Sequence, residues 1–300
     1  MPSIKNSVID IMVRLASRAL FSKRLSDRNR KAIIDLMNRF LPEPGGDSER
    51  VVVAGRDALW VSNENFKEKR VILYFHGGGY HICSPETHHR LVYQLCRASG
   101  ARALVIDYRM APEHPYPAAV DDCLAAYKWL LEQKIKPAHV VFAGDSAGGG
   151  LTMATMLAAR QDGLKLPAAA VCISPWVDLK NESPSRKSLA SKDPMLTPSG
   201  VRHWAESYLN GAEPENPLAS PLYADLAGLP PLLIHVGSNE ILLDDSIRLH
   251  SKAEKAKVKS TLKVWPDMMH VFQVLYNVIE QAKLSIDEMG KFIAENIKVK

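Results

Sequence analysis

A buried strand that runs straight into a helix through a handful of small residues leaves a chain few ways to fold. "HVVFAGDSAGGGLTMATMLAA" is such a stretch: "HVVFA" reads as an apolar strand, "LTMATMLAARQ" as a helix, and Gly144-Asp145-Ser146-Ala147-Gly148 joins them. So sharp a reversal brings strand and helix together at the turn, and the residues two before and two after Ser146 must then carry almost no side chain. Both are glycine. The plainest alternative is a strand-to-helix turn in which Ser146 only caps the helix. A phosphate-cradling loop is excluded, because neither glycine cluster leads into Gly-Lys-Ser/Thr.

The same rhythm continues along the chain. "RVVVAG", "ALWVS", "RVILYF", "ARALVIDY", "HVVFAG", "AAAVCIS", "PLLIHVG" and "STLKVW" read as strands. The later ones are dense apolar runs, as expected of strands covered on both faces of a mostly parallel sheet. "VDDCLAAYKWLLEQ", "LTMATMLAARQ" and "SIRLHSKAEKA" are helical by period. The reading is an α/β class chain with a mostly parallel eight-stranded sheet flanked by helices. Residues 1–45 read as two amphipathic helices that form an N-terminal cap, with 46–300 as the catalytic domain. No strong strand occurs between about 179 and 228, where Thr197-Pro198 opens "SGVRHWAESYL" as an N-cap and first helical position, so this interval reads as a cap insertion.

Composition removes several function classes. The net charge of +5 is concentrated in residues 1–31, with eight Lys or Arg against two Asp, so the rest of the chain is close to neutral and has no basic stripe for nucleic acid. No apolar run reaches the roughly 18 residues of a membrane span, and the N-terminus lacks the order of a signal peptide, so no stable membrane insertion and a cytoplasmic location are expected. Cys83, Cys96, Cys123 and Cys172 match neither a CxxC pair nor a zinc spacing, and no HExxH occurs. No metal site is expected.

A serine presented on such a turn is a candidate nucleophile, and its partners can be sought by position. "VILYFHGGGYH" ends a strand with His76-Gly77-Gly78-Gly79, a loop without side chains whose N–H groups can approach a developing oxyanion. Ala147, directly after the serine at a helix start, supplies a second kind of donor. His76 reads as a residue that orients the loop. In this architecture the order is serine, acid, histidine, which sets aside the six histidines before Ser146. Of the rest, His203 lies in the insertion, His235 inside a strand and His250 on a helix, whereas His270 follows the last strand in "KVWPDMMHVF". His270 is the best-placed base.

These segments together resemble the bacterial hormone-sensitive-lipase-like esterases, lipolytic family IV, of the α/β-hydrolase fold. "HGGGY", "DYRMAPEHPYPAA", "GDSAGG", "SPWVDL", "DPMLT" and "PDMMHVF" are similar to that family's segments, in its order and over nearly the whole chain. The resemblance implies hydrolysis of small-molecule carboxylic esters with short to medium acyl chains, no cofactor, and a homodimer through the last strand, which makes "STLKVW" a candidate edge. It implies Ser146 as nucleophile, His270 as base, and an oxyanion hole at Gly77, Gly78, Gly79 and Ala147, with Gly77 serving the loop's shape. Arg109 and Glu113 are expected to make structural polar contacts near the site. The family's Asp-x-Leu-x-Asp pattern falls on Glu240-Ile241-Leu242-Leu243-Asp244 in "LLIHVGSNEILLDDS", so the first carboxylate is a glutamate. Glu240 lies nearest the strand's end and is the expected acid; Asp244, Asp245 and Asp267 are its rivals, the first two as charges at a helix start. Receptors built on this fold tend to lose the histidine, which this chain keeps. Amide hydrolysis or sugar deacetylation stays open, because a triad does not fix the leaving group.

Overall fold

The structure is a computed structural model that describes residues 45–297 together with Asn29. The cap helices expected over residues 1–45 fall, Asn29 and Gly45 apart, outside the described residues. Eight strands form one sheet: β1 (Asp47–Val53), β2 (Arg56–Ser62), β3 (Val71–Phe75), β4 (Arg102–Ile106), β5 (Val140–Asp145), β6 (Ala169–Ile173), β7 (Leu232–Gly237) and β8 (Ser260–Trp265). Their order is β1-β2-β4-β3-β5-β6-β7-β8. The β1–β2 and β2–β4 pairs are antiparallel and every later pair is parallel, as the mixed sequence pattern requires.

The helices of the described residues are α1 (Pro85–Ser99), α2 (Ala118–Glu132), α3 (Ala147–Gln161), α4 (Ser185–Ser188), α5 (Pro198–Leu209), α6 (Leu243–Lys255) and α7 (Glu280–Asn296). They cover both faces of the sheet, which explains why every residue of β3, β5, β6 and β7 is buried. Alternate residues serve opposite cores. Leu73 and Phe142 join the core that holds Leu130 of α2 and Leu157 of α3, while Ile72 and Val141 face Leu95 of α1 and Met289 of α7. Each such side chain contributes about 1.5–3 kcal/mol by leaving water. A one-residue slip of any of these strands would exchange the two faces, so the register is strongly specified.

Parallel strands bring their C-terminal ends to one edge, and that edge is where the candidate residues emerge. Phe75 pairs with Gly144 across β3 and β5, so the His76-Gly77-Gly78-Gly79 loop leaves the sheet beside the Ser146 turn. Gly237 pairs with Trp265 across β7 and β8, which sets the loops carrying Glu240 and His270 next to each other. The interval 179–228 has no strand and carries α4 and α5, and Thr197 caps α5 by accepting the Gly200 N–H at 3.1 Å. Helix α1 was not expected from periodicity, although Ser84 followed by Pro85 is a usable start signal.

Candidate active site

Ser146 sits at φ 55°, ψ −119°, a conformation that costs a non-glycine residue about 1–3 kcal/mol and persists only where the surroundings fix it. They do: its N–H donates to the Ile173 carbonyl at 2.8 Å and its own carbonyl accepts the Trp176 N–H at 2.9 Å. The flanking glycines are a steric necessity, since a Cβ on Gly148 would lie 1.9 Å from the Phe75 carbonyl oxygen. The hydroxyl makes no capping bond to α3. It lies instead 3.0 Å from His270 Nε2.

His270 is 3% exposed, and its Nδ1 lies 2.7 Å from Glu240 Oε2. A carboxylate only accepts, so the proton of the neutral ring sits on Nδ1, leaving Nε2 to accept from the Ser146 hydroxyl. Glu240 is fully buried, and its other oxygen, Oε1, accepts the Gly237 N–H at 2.5 Å and the Ser174 hydroxyl at 2.8 Å. Three donors thus stand in for the water this carboxylate has lost. Burial opposes charging of His270, but Glu240, with Asp193 and Asp145 further off, outweighs it and holds the imidazole above its ordinary value.

Behind the glycine loop lies a second buried cluster. Asp145 accepts from the Tyr74 hydroxyl at 2.7 Å and from the Gly77 N–H at 3.1 Å, with His88 Nε2 3.3 Å away. Burial pushes the Asp145 carboxyl up, yet His88 and these donors bring it below the usual range. The Gly77 N–H is therefore engaged in shaping the loop. Gly78 and Gly79 take φ of 111° and 64°, and among the described residues no acceptor is bonded to their N–H groups or to that of Ala147. His76 stacks on Tyr108 at 4.2 Å and donates from Nδ1 to the Gly77 carbonyl at 2.8 Å. Helix α5 presses on this loop: a Cβ on Gly79 would meet the Trp204 ring at 2.1 Å, Tyr208 stacks on Tyr80 at 3.8 Å, and His81 bonds Ser207 at 2.9 Å.

The rival residues go elsewhere. Asp244 and Asp245 lie in the first turn of α6, but they reach across to the segment between β6 and β7 and are more than helix-start charges. Asp244 accepts the Ser185 N–H at 2.7 Å, and fully buried Asp245 accepts the Val177 and Asp178 N–H groups at 3.2 Å and pairs with Arg186 at 3.0 Å. Asp267 and His203 are exposed. His235 and His250 bond Ser285 and Ser260 at 2.8 and 2.9 Å. Arg109 makes its structural contact with Asp122 at 2.8 Å, whereas Glu113 is exposed and takes no part in that pair. Three residues beside the Ser146, His270 and Glu240 contacts, namely Ser174, Asp193 and Asp145, were not singled out from sequence, although each lies in a segment that was. Among the described residues no His, Cys, Asp and Glu group is arranged to hold a metal ion, and no helix is long and apolar enough to cross a membrane.

A serine on a tight strand-to-helix turn, above a parallel sheet and within reach of a buried His–Glu pair, defines a class: the serine hydrolases of the α/β-hydrolase fold. A family model of that fold matches residues 72–274. An acetyl-hydrolase of Streptomyces hygroscopicus is 45% identical over 251 residues, 83% of either chain, and an esterase of Acinetobacter venetianus is 34% identical with 87% of either covered. The crystal structure of an esterase from the bacterial hormone-sensitive lipase family superposes with a TM-score of 0.94 at 40% identity, over 99% of this chain and 100% of that one. The chain belongs to the α/β-hydrolase family, among the bacterial hormone-sensitive-lipase-like esterases, and is a serine hydrolase of the carboxylesterase and lipase type.

Proposed function

We propose that the protein hydrolyses carboxylic esters of short to medium acyl length through an acyl-enzyme on Ser146, with His270 as general base and Glu240 as the acid that orients it. The observation that carries this reading is the unbroken row Ser146 Oγ, His270 Nε2, His270 Nδ1, Glu240 Oε2, with separations of 3.0 and 2.7 Å. His270 takes the hydroxyl proton as Ser146 attacks the ester carbonyl, and the resulting oxyanion is held by the N–H groups of Gly78, Gly79 and Ala147. The intermediate collapses, the alcohol departs with the proton from Nε2, and water repeats the sequence to free the carboxylic acid and the serine. Gly77 belongs to this hole through the shape it imposes rather than as a donor.

The names of the relatives, acetyl-hydrolase and esterase, favour the short end of the acyl range. Residues 46–300 then form the catalytic unit, and residues 1–45 with the 179–228 insertion form the cap. The seating of Trp204 against Gly79 supports the insertion's share in it. β8 is an outer strand of the sheet, which supports pairing of two copies through "STLKVW". Turnover of p-nitrophenyl esters from acetate to laurate, together with labelling by a fluorophosphonate, tests the reading. Expected are a maximum at short chains and a label on Ser146 that is lost in Ser146→Ala; a folded protein that takes no label would overturn it.

A further inference from the structure

Ser174 follows β6 and is fully buried, carries no charge, and touches Glu240 and the residue that follows His270. Its hydroxyl donates to Glu240 Oε1 at 2.8 Å and accepts the N–H of Val271, the residue directly after His270, at 3.3 Å. Its own N–H donates to the His235 carbonyl at 2.7 Å in the neighbouring strand. Three loops, from β6, β7 and β8, are thereby joined at one oxygen atom.

The backbone around that atom is strained. Ser174 has φ 45° and Val271 φ 48°, and for a β-branched residue such a value is a genuine outlier. Strain of this kind persists only where neighbouring contacts over-determine it. The hydroxyl that links the two strained residues also bears on the carboxylate. We infer that Ser174 is a positioning residue for the reaction: its hydroxyl fixes the Glu240 carboxylate and the His270 loop in one relative orientation and withdraws charge from Oε1. The inference rests on the Ser146, His270 and Glu240 reading above.

Two effects follow from removing the hydroxyl. Glu240 loses a donor and Val271 a buried acceptor, so the His270 ring is held less firmly against Ser146. The carboxylate, with one donor fewer, has less of its charge withdrawn from Oε1 and stabilises the imidazolium more strongly. The other charged groups bearing on His270 are Asp193 from the segment between β6 and β7 and Asp145 at the end of β5, and neither makes its hydrogen bonds to Ser174.

The test compares Ser174→Ala, Ser174→Gly and Ser174→Cys with the parent on p-nitrophenyl acetate across pH, beside Glu240→Gln. The glycine variant relieves the positive φ, so the hydroxyl's effect is separated from backbone strain. Expected in the alanine and glycine variants alike is a fall in kcat of about ten- to hundredfold with KM nearly unchanged, an acid limb of kcat/KM moved to higher pH, and an intermediate value for cysteine, a weak donor. Parent-like kcat and pH profile in folded alanine and glycine variants would overturn the inference, as would a loss confined to melting temperature and KM. If Glu240→Gln leaves turnover intact, the triad reading itself fails; if it abolishes turnover while Ser174→Ala does not, only the role of Ser174 fails.

Discussion

Asp193 Oδ2 accepts the backbone N–H of Ile241 at 2.8 Å, which ties the segment between β6 and β7 to the residue directly after Glu240. Its other oxygen accepts from Met195 and Leu196 at 2.8 and 2.9 Å, so the two oxygens have separate tasks, one inside its own segment and one towards the Glu240 loop. Asp244 and Asp245 make the return connection from α6 to Ser185 and Arg186. The segment between β6 and β7 thus helps to hold the loop on which Glu240 stands.

Replacing Asp193 by asparagine should separate those tasks. An amide oxygen in the Oδ1 position keeps the Met195 and Leu196 bonds, while an NH2 group facing Ile241 cannot accept its N–H. Burial already pushes the Asp193 carboxyl up, so removing its charge offsets part of the lost bond and the variant should fold with near-parent stability. Turnover should fall about tenfold, and with one negative charge fewer near His270 the acid limb of kcat/KM should move to lower pH. Asp193→Ala frees all three donors and should cost about 3 kcal/mol in urea unfolding. Unaltered turnover in Asp193→Asn would mean that the tie to Ile241 is dispensable for the chemistry.

Glu240 and Asp244, two of the carboxylates that the sequence leaves in competition, are separated by their contacts. Glu240→Gln removes the charge that faces the imidazolium and should lower kcat on a p-nitrophenyl ester by on the order of 10³–10⁴. Asp244→Asn alters a contact with the Ser185 N–H and should change kcat by less than about tenfold. The reverse ranking would move the acid to Asp244.

Why one of these residues was legible and others were not is a matter of range. The strands could be read because burial on both faces demands unbroken apolar runs, and the Ser146 turn because two close approaches demand glycine on either side. Glu240 and His270 could be placed by their distance past a strand end. Ser174 and Asp193 act on partners 66 and 48 positions away, and a hydroxyl or a carboxylate in a loop leaves no periodic trace of such a contact. Asp244 and Asp245 look like ordinary first-turn charges because the local pattern is the same whether they face solvent or Arg186.

The pH profile should carry the signature of the His–Glu pair. With His270 as the proposed base, catalysis needs the neutral imidazole, and activity should be lost as the pH falls through the His270 value. That value lies above the ordinary 6.5, because Glu240, with Asp193 and Asp145, outweighs burial. The acid limb of kcat/KM should therefore have its midpoint above about 6.5. In Glu240→Gln the residual activity should show a limb displaced to lower pH. A midpoint at or below 6.5 in the parent would contradict the pairing.

His235 should govern stability in acid, in the opposite sense. It lies fully buried in β7, its Nδ1 bonded to Ser285 at 2.8 Å, and burial, reinforced by Lys263, pushes its value down to about 3. Glu288 lies 3.8 Å from Nε2, but it is half-exposed and paired with Lys263, so it does not offset the burial. A base whose value is depressed on folding binds its proton first in the unfolded chain. Its contribution is therefore complete above about 6.5 and is lost as the pH falls from there towards 3, at up to about 1.4 kcal/mol per pH unit. His270, raised on folding, works the other way: its contribution is complete below about 6.5 and is lost as the pH rises through the folded value. Urea unfolding of the parent and of His235→Asn, whose amide can still meet Ser285, isolates the first effect. The gap in unfolding free energy between the two proteins should narrow steadily from pH 6.5 to 4. Parallel curves would assign the acid sensitivity to other groups.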